Sequence, residues 1–146
     1  MDDYRIILEK HDTKDVTTQE INGTLTVIWR DWDDVVKNHP KMVYISSVNV
    51  GGTKGPHIHT KRTSYFSCIE GKVVFIIKGE NGYHEIISSP NEPTLVHVPK
   101  NVASAHLNIS EGVSRVIALA DIAWKPNDNE MVNTNFDDYD WNKWKK

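Results

Sequence analysis

The sequence predicts an all-β domain, a β-sandwich or small barrel. Short runs rich in β-branched and aromatic residues recur throughout the chain, separated by turn signals about every ten residues. Between them no segment carries the apolar period of an amphipathic helix. At 146 residues, the chain has the length of one ordinary domain, able to bury a core without disulfide staples.

Taken in order, Tyr4 to Leu8 and Gly23 to Arg30 read as strands, the second alternating around Leu25, Val27 and Trp29. Asp31 to Lys37 predicts one helical turn, stopped by Pro40. Met42 to Val50 is a strand, and the glycine-rich Gly51-Gly52 leads into an extended stretch holding His57 and His59. Successive strand side chains point to opposite faces, so these two imidazoles share one face and Ile58 takes the other. Thr63 to Ile69 and Lys72 to Lys78 predict a hairpin turning at Glu70-Gly71, and Gly79 to Gly82 predicts a second one into Tyr83 to Ser88. Pro90 and Pro93 bracket a loop, after which Thr94 to Val98, Val102 to Ile109 and Ser114 to Ala120 complete the series.

After Pro126 the composition shifts to Asn, Asp, Trp and Lys. The expected organisation is a barrel with N-terminal strands over residues 1–126 and an aromatic, acidic tail over residues 127–146. Phe136, Tyr139, Trp141 and Trp144 are costly to leave in water, so the tail is expected to pack on the barrel or on a partner subunit.

Hydrophobic residues make up 38% and charged residues 25%, and mean hydropathy is -0.51, the profile of a soluble globular protein. No apolar run approaches the length of a membrane span and no leader precedes the first strand, so the expected location is the cytoplasm. The net charge of -3 and pI near 6.1 argue against nucleic-acid binding. Cys68 is the single cysteine, which excludes an internal disulfide and a multi-cysteine zinc site. The cations Lys54, Lys61 and Arg62 around the two histidines point instead to a small anionic ligand.

Gly51, then His57 and His59 after five intervening residues, then Gly71, resembles the first motif of the cupins. Pro99 and Asn108 are similar to the ends of the second motif. The resemblance implies a double-stranded β-helix, the cupin jelly roll, as a single domain. Ser64 stands where a metal-binding cupin has its glutamate and Ser104 where it has its third histidine. Two imidazoles alone make a poor transition-metal site, so no metal and no other cofactor is expected. His106 shares the face of Ser104, which keeps open a metal-dependent alternative using His57, His59 and His106.

A cupin without its metal set but with paired histidines is similar to the dTDP-4-dehydrorhamnose 3,5-epimerases and the TDP-4-keto-6-deoxyglucose 3,4-ketoisomerases. Val43-Tyr44, Lys54-Gly55-Pro56-His57-Ile58-His59 and Cys68-Ile69-Glu70-Gly71 match the ketoisomerase pattern, with Lys54 replacing an arginine. Ala120-Asp121-Ile122 and Tyr139-Asp140-Trp141 are similar to short proteins grouped with the epimerases. The epimerases' lysine and tyrosine fall near Ser64 and Ala118, which leaves those two roles unfilled.

The resemblance implies an isomerase that needs no cofactor and acts on a nucleotide-linked 4-keto-6-deoxyhexose, for deoxysugar or polysaccharide biosynthesis. A ketone at C4 makes the protons on C3 and C5 acidic, and a positioned base removes one. His57 is the expected base and His59 its partner, an order that can be reversed, and Tyr44 is the expected acid or ring-stacking residue. Lys54, Lys61 and Arg62 are expected to hold the diphosphate, with Ser64, Ser104, His106 and Asn108 lining the pocket. A non-catalytic sugar-binding cupin is the second alternative. Small cupins of this type pair edge strands, so a homodimer is expected.

Overall fold

The computed structural model describes residues 4–32, 34, 36 and 38–145. Two five-stranded antiparallel sheets face each other as a jelly roll, the double-stranded β-helix expected from the motifs. The strands are β1 (Arg5–Ile7), β2 (Lys10–Lys14), β3 (Ile21–Thr26), β4 (Met42–Val48), β5 (Thr53–His59), β6 (Ser64–Glu70), β7 (Val73–Gly79), β8 (Gly82–Ser88), β9 (Thr94–Val98), β10 (Ala103–Asn108), β11 (Ser114–Ala120) and β12 (Met131–Asn133). One sheet has the order β1-β9-β6-β11-β4 and the other β12-β5-β10-β7-β8.

The space between the sheets is divided along its length. Cys68, Val73, Phe75, Ile77, Ile86, Val96, Val98 and Val116 fill one part with a dry core. Cys68 is buried, which pushes its thiol up and leaves it inert. Toward β4 and β5 the inward side chains become polar, and a cavity opens. At the opposite end Asn108 closes the barrel. Its amide donates to the carbonyls of Val48 (2.9 Å) and Gly112 (2.8 Å), and its oxygen accepts from the Ser110 backbone and from Ser114 Oγ.

After β12, residues 134–145 run across the outer face of the second sheet. Phe136 is 2% exposed and joins Val74, Ile76, Ala103, Ala105 and Leu107, with Tyr139, Trp141 and Trp144 packed against the cluster. Tyr139 hydrogen-bonds Glu85, which also pairs with Lys143 at 2.8 Å.

Two expectations from sequence are corrected. The predicted hairpin at Glu70-Gly71 does not exist, because β6 pairs with β9 and β11 whereas β7 pairs with β8 and β10. Gly71, at φ +80°, instead carries the chain from one sheet to the other, and a Cβ there would lie 2.3 Å from Ser114 Oγ. The predicted strand Gly23 to Arg30 is β3, shifted toward the N-terminus and ending at Thr26. It pairs with β2, whose Lys-His-Asp-Thr-Lys sequence has no apolar face to betray a strand. Of the predicted helical turn at Asp31 to Lys37, residues Asp33, Val35 and Lys37 lie outside the described residues. No helix among the described residues is long and apolar enough to cross a membrane.

Candidate active site

β5 positions the two histidines. Its first half needs a close approach to β10, and Gly55 provides it: at φ +88° a Cβ would sit 2.8 Å from the Ser104 carbonyl oxygen. From there the strand alternates. His57 and His59 turn into the barrel, and Ile58 packs on the outer cluster. The two rings meet edge to face, 5.4 Å between centroids.

Both histidines line a cavity of about 420 Å³ together with Tyr44, Lys54, Arg62, Ser104 and His106. Met42, Ser46, Phe66, Ala105, Trp124 and Met131 supply the rest of its wall. Three other expected site residues lie elsewhere. Asn108 is the clamp at the far end of the barrel. Ser64 is buried in β6 with its hydroxyl unpartnered among the described residues. The Lys61 side chain is 64% exposed and pairs with Asp128 at 3.6 Å.

One residue absent from the sequence reading is central to the geometry. Glu130, 3% exposed, places its carboxylate 2.8 and 3.0 Å from His59 Nδ1. Its backbone carbonyl accepts from the Thr60 N–H at 2.7 Å, and Met131 to Asn133 then pair with His59 to His57 as β12. Glu130 is thereby zipped to the histidine strand from 71 residues away in sequence. Arg62 Nη2 lies 2.9 Å from the same carboxylate. A carboxylate with a cation beside it is an acceptor only, so His59 Nδ1 donates and Nε2 keeps its lone pair for the cavity.

The electrostatics separate the remaining groups. Burial, helped by His59 and Arg62 and opposed by Glu130, depresses the pKa of His57 and keeps it neutral near pH 7. Burial raises the Tyr44 phenol, while the adjacent Arg62 guanidinium pulls it back. Lys54 donates to Ser46 Oγ across the two sheets and has no carboxylate partner among the described residues.

His106 lies against Phe75, 4.9 Å between ring centroids, with its Nε2 shielded and unpartnered among the described residues. Burial first, then Lys54 and His57, lowers its pKa to about 4. The folded pKa lies below the unfolded value of about 6.5, so the unfolded chain binds the proton more readily. The His106 contribution is therefore complete above about pH 6.5 and is lost as pH falls toward about 4, by at most ~3 kcal/mol. Urea unfolding of wild type at pH 7.5 and 4.5 should show this loss, and His106→Leu should make it smaller. An equal loss in the variant would assign the acid sensitivity to other groups.

Among the described residues, no three His, Cys, Asp or Glu side chains are placed to share a metal ion. His106 does not join His57 and His59 as a third ligand, and the Nδ1 of His59 is committed to Glu130.

A family profile described as FdtA, WxcM-like, C-terminal matches residues 8–140. The chain belongs to this family. Its fold is also that of several solved structures. A dTDP sugar isomerase from Desulfovibrio desulfuricans G20 matches with a TM-score of 0.72 at 16% identity, covering 91% of this chain and 85% of that one. QdtA, a sugar 3,4-ketoisomerase from Thermoanaerobacterium thermosaccharolyticum in complex with TDP, matches at 0.68 with 20% identity over 92% and 90%. The capsular polysaccharide assembling protein CapF from Staphylococcus aureus matches at 0.62 with 20% identity over 68% of this chain, which spans 29% of CapF. No curated protein sequence matches the chain. In this FdtA-family chain, Glu130 and every residue of the cavity wall fall inside the matched span.

Proposed function

We propose that the protein is a sugar-nucleotide isomerase, acting beside the C4 ketone of a nucleoside-diphosphate-linked 4-keto-6-deoxyhexose. The observation that carries this reading is the buried Glu130 carboxylate on His59 Nδ1 in the wall of a cavity that could take one hexose. The family match and the names of the fold's relatives, a sugar 3,4-ketoisomerase and a dTDP sugar isomerase, support the substrate class.

The geometry favours the reverse of the order read first from sequence. His59, with its Nδ1 held by Glu130, is the base: Nε2 takes the proton from C3 or C5. The C–H electron pair becomes a carbon–carbon double bond to C4, and the carbonyl π pair moves onto oxygen. His57, kept neutral, donates its ring N–H to that oxygen, where the charge develops. Tyr44, whose phenol stays protonated, stands in the opposite sheet to return a proton. Delivery to the other face of the carbon epimerises it; where the C3 proton was removed, delivery to C4, with the O3 proton passing to O4, moves the ketone to C3. Lys54 is the cation for the diphosphate, since Lys61 faces solvent and Arg62 is taken by Glu130. The product would serve deoxysugar or polysaccharide biosynthesis.

The test is proton NMR of TDP-4-keto-6-deoxyglucose with the protein in deuterated water. Loss of the C3 or C5 signal is expected, and His59→Asn should slow it by about 10²- to 10⁴-fold. Migration of the ketone identifies the ketoisomerase, and exchange at C5 identifies the epimerase. Binding of the nucleotide sugar without exchange, across several nucleotides, would favour a sugar-binding protein and sink the proposal.

A further inference from the structure

Arg62 is placed unlike a phosphate ligand. Its side chain is 6% exposed, and Nη2 is spent on Glu130 at 2.9 Å. Glu130 in turn holds His59 Nδ1. From the facing sheet, Tyr44 lines the same cavity, close enough for the guanidinium to pull its phenol back down. One cation thus holds the carboxylate behind the base and faces the phenol across the cavity.

The energetics ask for a reason to bury it. Taking a guanidinium and a carboxylate out of water costs several kcal/mol per ion, and a well-packed apolar pair is often no less stable. The Nε of Arg62 is also shielded without a partner among the described residues, a further desolvation cost. The fold gains little from such a pair. What it does provide is a fixed Glu130: the guanidinium holds the carboxylate from one side at 2.9 Å and leaves it turned to His59 Nδ1 at 2.8 Å, where it fixes which imidazole nitrogen carries the hydrogen.

We propose that Arg62 is a positioning residue for proton transfer, fixing the Glu130 carboxylate against His59 Nδ1, and that it does not bind the diphosphate. This rests on the reading of the cavity as a proton-transfer site. Its effect passes through Glu130, and it should change turnover without changing nucleotide affinity.

Arg62→Met and Arg62→Lys decide it, each measured by solvent exchange into TDP-4-keto-6-deoxyglucose, by calorimetry with TDP, and by low-field proton NMR of the His59 Nδ1–H. In Arg62→Met the exchange rate should fall about 10- to 100-fold, with TDP affinity within about threefold of wild type and the low-field resonance lost. Arg62→Lys, which keeps the charge without the planar fork, should retain the resonance and recover part of the rate. If Arg62→Met does not fold, Arg62→Lys decides alone: a reduced rate at unchanged TDP affinity supports the proposal. A tenfold loss of TDP affinity with turnover retained, or no change in either, overturns it. Wild-type protein that binds TDP but exchanges no proton overturns the proton-transfer reading and this assignment with it. Exchange that is undiminished in both variants overturns the assignment alone.

Discussion

Glu130→Gln should lower the exchange rate by about 10²- to 10⁴-fold while leaving the KM for nucleotide sugar nearly unchanged. The substitution keeps the shape of the side chain and removes its charge. An amide can turn either its oxygen or its NH2 toward His59 Nδ1. With the NH2 facing the ring, Nδ1 must accept and Nε2 must carry the hydrogen, so the lone pair points away from the cavity and the base is lost. The second consequence falls on Arg62, whose guanidinium would remain buried without its counter-charge, an arrangement that typically costs ~3–5 kcal/mol. Urea unfolding should therefore register a loss alongside the kinetic one. Glu130→Asp separates the two. It preserves the charge for Arg62 but withdraws the carboxylate from Nδ1, so stability should recover more than turnover does. A Glu130→Gln enzyme within threefold of wild type would mean that His59 needs no orienting carboxylate, and the assignment of the base would return to His57.

Most of the barrel was legible because its strands announce themselves locally. β4, β6, β7 and β9 to β11 alternate or run apolar between Gly, Pro and Asn, and a strand with a buried face must do so. β2 escaped notice because all but one of its residues are exposed and none needs to be apolar. The turn at Gly71 was read as a hairpin because a tight glycine turn looks the same in sequence whether the next strand pairs back or crosses to the other sheet. Gly71 crosses because β10 and β11, far along the chain, claim the edges of β7 and β6. The paired histidines were legible for the same local reason as the strands. Glu130 was not, since its partners are His59, Thr60 and Arg62 in a remote part of the chain, and an acid in a polar tail carries no sign of burial. Arg62 was read with Lys54 and Lys61 as a cation for the diphosphate, because nothing next to Lys61 in sequence marks it for burial and only the remote Glu130 draws it inside. Asn108 matched a motif position and proved to be a turn clamp, because a side-chain amide that satisfies backbone carbonyls closes a barrel end as readily as it lines a pocket.

Phe136→Ala should destabilise the protein by ~3–5 kcal/mol and slow turnover although the residue lies outside the cavity. Phe136 is the most buried of the tail aromatics and packs edge to face on Tyr83 at 5.0 Å between centroids, over Val74, Ile76 and Leu107. Truncation removes that contact area and opens a void beneath Tyr139 and Trp141. The effect on turnover follows from connectivity. Three residues before Phe136 the chain leaves β12, whose pairing with β5 spans His57 to His59, and immediately before β12 stands Glu130. The strand is three residues long, and a strand so short depends on what anchors its ends. One anchor is the ion pair of Glu130 with Arg62 and the other is Phe136 in its cluster. Hydrogen exchange should show Val132 losing protection in Phe136→Ala before the core amides of β7 do, at a denaturant concentration where the barrel is still folded. Protection at Val132 that falls only together with β7 would make the tail one cooperative unit with the barrel. The slower turnover would then reflect global unfolding, not the release of Glu130.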